Sequence, residues 1–280
     1  MKKAPLVAVA NDLSGYGRCS LCVALPILAA MGLQGCPVPT AILSNHTGFP
    51  SCTFEDTTDR MEAYLAEWRK LGLCFDGVCT GFLGGEGQAA ILGRLLDEDC
   101  RADAVKLVDP AMADGGALYS TCSPALGEAM KTLVAKSTVT TPNLTEACLL
   151  TGTPYAAVAS LAGEALEEAV FNMAERIAAT GPAQVVVTGI VQGDEIANLV
   201  VDHGARYVLR APHATRSFAG TGDVFAAALC GFLMRGTPLR EAVERVARFV
   251  AEATAHTLAL DLPATDGIEF EAYLGQVREE

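Results

Sequence analysis

The sequence predicts an α/β protein with three layers: a mainly parallel central sheet, helices on both faces, and a C-terminal β-hairpin followed by helices. Three observations lead there. Short apolar runs alternate with longer amphipathic stretches as far as Thr188, the rhythm of βαβ units, which implies a parallel sheet covered on both faces. Beyond Thr188 two apolar runs lie a few residues apart, as in a hairpin, and from Thr221 the chain reads as helix. An apolar fraction of 51% in 280 residues supplies a large core.

The elements follow in order. Leu6–Ala10 reads as a first strand and Cys19–Met31 as the helix after it. Val38–Leu43 is the next strand. Glu55–Leu71 is the next helix, with Met61, Leu65 and Trp68 on one stripe. Strand Asp76–Thr80 precedes helix Glu86–Asp99; strand Val105–Val108 precedes helix Pro124–Ala135; strand Ser137–Thr140 precedes helix Leu161–Thr180. Val185–Thr188 is the last strand of this series. Ile196–Val201 and Arg206–Leu209, joined by Asp202-His203-Gly204-Ala205, form the hairpin. Asp223–Met234, Leu239–Leu258 and a short Glu269–Val277 complete the chain as helices. No repeat, low-complexity block or long linker interrupts it, so residues 1–280 read as a single domain.

Charge and composition narrow the function. A net charge of −13 gives no general attraction for nucleic acid or anionic lipid, which favours a small-molecule enzyme. The five apolar residues before Asn11 are too few for a signal h-region, and no stretch reaches the roughly 18 apolar residues of a membrane span. The expectation is a cytoplasmic protein. Ten cysteines without an export signal read as buried or idle thiols, and Cys19-Ser20-Leu21-Cys22 lacks the second pair a zinc site needs.

In an open α/β sheet chemistry gathers beyond the carboxyl ends of the strands. The sharpest motif is Gly220-Thr221-Gly222-Asp223, running directly into an apolar helix. Free amides at a helix start, with no Cβ at either glycine, form a nest for phosphate. A carboxylate there repels ground-state phosphate and makes better sense as a base taking a proton from an attacking hydroxyl. The plain alternative is a glycine turn with an N-terminal acid. Asn143 and Glu146, three apart at a helix entry, read either as a capping box or as a pair organising hydrated magnesium beside phosphates. Asp109-Pro110 and Asp114-Gly115 follow another strand, and both are ordinary turn dipeptides as well. Walker A, GxGxxG and HExxH patterns are missing.

Taken in order, Asp12-Leu13-Ser14-Gly15-Tyr16-Gly17, Ser44-Asn45-His46-Thr47-Gly48, Asp109-Pro110, Thr141-Pro142-Asn143-Leu144-Thr145-Glu146 and Gly220-Thr221-Gly222-Asp223 resemble the ribokinase-like superfamily. Within it the chain resembles the pyridoxal/pyridoxamine kinases, from about Val7 to Ala255. The resemblance implies ATP-dependent phosphorylation of the 5′-hydroxymethyl of a B6 vitamer, with magnesium and, as a further implication, potassium. Asp223 would be the catalytic base and Gly220, Thr221 and Gly222 the anion hole. Asn143, Thr188 and Asp109 would face the nucleotide, with Glu146 and Asp109 serving the metal. Ser14, His46, Thr47 and Phe82 would hold the vitamer. Phe82 stands where many relatives carry tyrosine, and Ala113 where they carry glycine. A homodimer is expected by the same analogy. The rival readings are a hydroxymethylpyrimidine kinase of thiamine synthesis, a ligand-binding relative without catalysis, and a thiol or metal protein using Cys19 and Cys22.

Overall fold

The structure, a computed structural model, describes residues 3–278; Met1, Lys2, Glu279 and Glu280 lie outside the described residues. Its main sheet has nine strands. Five form a parallel block in the spatial order β8 (Val139–Thr140), β5 (Cys100–Val108), β4 (Phe75–Thr80), β1 (Leu6–Ser14), β2 (Gln34–Leu43), with β9 (Gln184–Gln192) parallel beside β8. Antiparallel strands close both edges: β10 (Glu195–Asp202) and β11 (Ala205–Pro212) beyond β9, and β3 (Phe54–Asp56) beyond β2.

Successive side chains of a strand point to opposite faces. Accordingly Leu6, Ala8 and Ala10 of β1 enter one core with helices α2 (Thr58–Lys70), α3 (Gln88–Glu98), α4 (Pro124–Val134), α5 (Leu144–Thr151) and α7 (Gly163–Ala178). Val7 and Val9 enter the other, with α1 (Ser20–Ala30), α8 (Thr221–Met234) and α9 (Leu239–Ala259). Helix α8 is buried continuously from Val224 to Phe232, because it is covered by the sheet and by both α1 and α9. A five-residue helix α6 (Tyr155–Ala159) links α5 to α7.

Several expectations change, among them that helices α5 and α6 stand between the strand expected at Ser137–Thr140 and the helix expected at Leu161–Thr180. The helix expected from Glu55 starts at Thr58, and Phe54–Asp56 pairs instead with the β2 edge. The expected hairpin extends into a three-stranded meander, since β10 also pairs antiparallel with β9 across a turn at Gly193, φ 63°. Glu271–Val277 is 3-10 rather than α-helical. The turn at Gly115-Gly116 joins a two-residue hairpin, β6 (Ala113–Asp114) and β7 (Ala117–Leu118), with φ of 57° and 85° at its two glycines, values open to glycine at little cost.

Cys19 is buried, Cys22 is exposed and both are free thiols. No helix among the described residues is long and apolar enough to cross a membrane.

Candidate active site

Because β1, β4, β5, β8 and β9 are parallel, the segments after them share one end of the sheet. Strand β1 is the switch point, with β2 on one side and β4 on the other. Helix α8 starts at this end. Gly220 is its N-cap at φ 71°, and a Cβ there would sit 1.8 Å from the Arg18 carbonyl oxygen. Only glycine permits that approach. No side chain caps α8, so the first-turn amides of Thr221, Gly222 and Asp223 are left open to an anion, while the Thr221 hydroxyl donates to the Phe218 carbonyl at 2.9 Å.

Asp223 occupies the first turn. Burial pushes its carboxyl up to about 6, against the pull of the Ser20 backbone N–H; Asp12 adds to the rise and Asn11 opposes it. The Asn11 amide donates to Asp223 Oδ1 at 2.9 Å. Next to Asn11, β1 slips its register against β2 between Asn11 and Leu13, a bulge of the kind that re-aims side chains. Buried Asp12 accepts from Ser14 Oγ at 2.8 Å and from Ser20 Oγ at 2.5 Å.

Asp109 follows β5 and is buried. Burial first, then the neighbouring Glu146 and Asp223 carboxyls, hold its pKa well above the usual range. Glu146 is also buried, and burial pushes it up to about 8. Its two oxygens are engaged: Oε2 accepts from the Asn143 N–H at 2.9 Å, and Oε1 from the Met112 N–H at 3.1 Å. Asn143 completes a full capping box on α5, its Oδ1 accepting from the Glu146 N–H and its Nδ2 donating to the Ala113 carbonyl. The capping arrangement is therefore present in full. Crowded buried carboxyls fit a nearby divalent cation, whose charge would relieve their repulsion. Among the described residues, however, no group of three or more His, Cys, Asp or Glu could hold a metal ion. A cation here fits with part of its water shell kept, as magnesium prefers.

The vitamer-facing expectations separate. Ser14 is fully buried and gives its proton to Asp12, so it cannot donate to a pyridine ring while that bond stands. His46 has both nitrogens engaged within the protein, Nε2 on the Thr265 carbonyl at 2.7 Å and Nδ1 accepting from the Gly48 N–H at 3.1 Å. Its ring packs on Phe49 at 4.7 Å, and it ties the 44–48 loop to the C-terminal segment. Thr47 is half-buried on that loop. Phe82 is half-buried too, its ring edge-on to Phe54 at 6.4 Å. Thr188 bridges Asn143 in parallel register and is half-buried at the end of the β8–β9 pair.

A family model described as phosphomethylpyrimidine kinase matches residues 25–265. The pyridoxine/pyridoxal/pyridoxamine kinase of Bordetella avium is 32% identical over 273 residues, covering 92% of this chain and 88% of that one. The chain belongs to the pyridoxal kinase family of the ribokinase-like fold. Membership makes it a kinase. The hydroxymethylpyrimidine/phosphomethylpyrimidine kinase of Rhizobium meliloti is 30% identical, covering 92% of this chain and 94% of its own. A Bacteroides thetaiotaomicron protein, assigned as a phosphomethylpyrimidine kinase and crystallised with pyridoxal, superposes with a TM-score of 0.92 at 32% identity, over 98% and 96% of the two chains.

For a pyridoxal kinase family member, two features here escape a reading of the sequence. Asn11 and Gly81 meet only in the fold: a Cβ on Gly81 would lie 2.4 Å from the Asn11 amide nitrogen. A groove of about 900 Å³ runs between β11 and α9, lined in part by His213, Ala214, Ala255 and Leu258. The chain leaves it at Ala214 and enters the glycine turn at Gly220, so groove and anion nest are consecutive along one segment. The sequence signal is faint: small residues spaced by four, Ala247, Ala251 and Ala255, on one face of α9.

Proposed function

We propose that this chain transfers the γ-phosphoryl group of ATP to the 5′-hydroxymethyl of a B6 vitamer. The observation that carries the reading is Asp223: a carboxylate in the first turn of α8, beside open amides and with its carboxyl up at about 6. The hydroxyl oxygen attacks the γ-phosphorus as the bond to the β–γ bridging oxygen breaks. The hydroxyl proton passes to Asp223, and the bonding pair leaves with ADP. Amides of Thr221 and Gly222 stabilise charge growing on the phosphoryl oxygens. Magnesium would supply charge neutralisation on the phosphates, and Asp109 and Glu146 would hold it through water. The groove between β11 and α9 suits the nucleoside end of ATP, with Asn143 and Thr188 toward the phosphates. Thr47 and Phe82 suit the vitamer ring, for which phenylalanine offers stacking without a hydrogen bond.

We further read residues 1–280 as one kinase domain, acting in the cytoplasm as a homodimer, with potassium as an accessory cation. The vitamer class draws on likeness to the Bordetella kinase, named for three vitamers, and to the Bacteroides protein crystallised with pyridoxal. The likeness to the Rhizobium enzyme keeps hydroxymethylpyrimidine as the second reading. A coupled ADP-release assay over pyridoxal, pyridoxamine, pyridoxine and hydroxymethylpyrimidine tests both. At least one vitamer should turn over faster than the pyrimidine; equal or faster turnover of the pyrimidine would overturn the assignment.

A further inference from the structure

A carboxylate at a helix start has several rotamers, and a base works only from the one that meets the hydroxyl proton. Asn11, together with the Ser20 backbone N–H, removes that freedom. Its Nδ2 donates to Asp223 Oδ1 at 2.9 Å, while its Oδ1 accepts from two backbone N–H groups, Asp12 at 3.0 Å and Phe82 at 2.9 Å. Those two donors decide which end of the amide is oxygen, so the NH2 must face Asp223. Room for the amide comes from Gly81, where a Cβ would fall 2.4 Å from Nδ2 and 2.9 Å from Oδ1. Gly81 is not among the positive-φ glycines, so the Asn11 amide is the visible reason for a glycine there. Segments from three distant parts of the chain thus converge on one side chain.

We propose that Asn11 is a positioning residue that holds the Asp223 carboxylate for proton transfer, with Gly81 as the space that lets it do so. The proposal rests on the reading of Asp223 as the base. A merely structural Asn11 would instead clamp β1 to the Gly81–Phe82 segment. Asn11→Asp separates the two roles, because it keeps an acceptor for both backbone N–H groups and turns the contact with Asp223 into oxygen against oxygen. Turnover should fall ~10²-fold, the scale of a misplaced catalytic group, while KM for vitamer and nucleotide stays within about two-fold. Gly81→Ala should fold and lose turnover in the same way.

The swapped pair N11D/D223N provides a readout free of activity. In that pair the amide introduced at position 223 can donate to the carboxylate introduced at position 11. The pair should therefore melt above N11D alone although it is inactive. Near-normal turnover in N11D, or melting shifts that simply add in the double variant, would overturn the proposal. Should N11D alone not fold, a folded swapped pair supports the role and an unfolded pair refutes it. D223N alone distinguishes the levels: normal turnover there removes the base reading itself, whereas an inactive D223N beside an active N11D removes only the role of Asn11.

Discussion

Asp223 shows how a single residue's setting becomes a measurable property. Its carboxyl is pushed up to about 6 chiefly by burial, with Asp12 adding to the rise and the Ser20 N–H and Asn11 opposing it. A base works only when ionised, so kcat/KM should fall as pH drops through about 6, by tenfold per unit below it, and level off above. Asp223→Asn should lose that limb together with roughly 10²–10⁴ of the turnover, while nucleotide affinity holds or rises because one negative charge near the phosphates is gone. A pH–rate profile of both proteins checks this; a wild-type profile flat from pH 5 to 8 would contradict it. The place of Asp223 at a helix start was legible in the sequence because its context, two glycines leading into an apolar run, is local. Asn11 was not, since its meaning depends on Gly81 and Phe82 from another strand end. Ser14 and His46 show what a motif alone does not tell, namely what each side chain bonds within the fold. Both carry polar groups in motifs that suggest a ligand, and the fold spends those groups on Asp12, Thr265 and Gly48.

Two elements carry the candidate site, and each has its own test. The start of α8 depends on Gly220, where alanine would meet both a left-handed backbone and the Arg18 carbonyl oxygen at 1.8 Å. A non-glycine residue in a strained backbone region costs about 1–3 kcal/mol before any clash. Gly220→Ala should therefore lower the melting temperature and abolish turnover, and an active, equally stable variant would show that the close approach is not required. The start of α5 is closed by the Asn143–Glu146 capping box. Glu146→Gln keeps an acceptor for only one of the two N–H donors, Asn143 and Met112, and turns its NH2 on the other, a buried loss that as structure alone costs roughly 1–3 kcal/mol and leaves activity per folded molecule untouched. If Glu146 also serves the cation, the magnesium concentration giving half-maximal rate should rise strongly; an unchanged value leaves only the cap. Most elements could be read from the sequence because their apolar runs and stripes are long. Strand β3 could not, being three exposed residues without alternation whose only strand signal is its pairing with Ala41–Leu43 of β2. The β9–β10 pairing was hidden as well, because Gly193 closes a turn between two stretches of which only one looked like part of a hairpin.

At the scale of the molecule, a chain of net charge −13 gathers Asp12, Asp109, Glu146 and Asp223 at one end of its sheet, each with its carboxyl raised, first of all by burial. That arrangement has a thermodynamic signature. An acid whose pKa is higher in the folded state holds a proton the unfolded chain releases, so stability falls with rising pH across the interval between the two values. For Asp223 the interval runs from the ordinary 3.8 to about 6, and for Glu146 from 4.5 to about 8. The surface pairs that hold Glu62 and Glu175 low, beside Arg94 and Arg206, act in the opposite sense only below the ordinary carboxylate range, where stability is lost on acidification. The melting temperature of the metal-free protein should therefore decline from pH 5 to pH 8.5, beyond what surface charge produces. A cation that binds the folded state beside these carboxylates adds stability by mass action, and most where they are ionised. Magnesium should accordingly raise the melting temperature more at pH 8.5 than at pH 5, with chelator reversing the gain and Glu146→Gln reducing it. A magnesium effect equal at both pH values would mean that the ion binds away from these carboxylates, and would leave their repulsion to be relieved by protons alone.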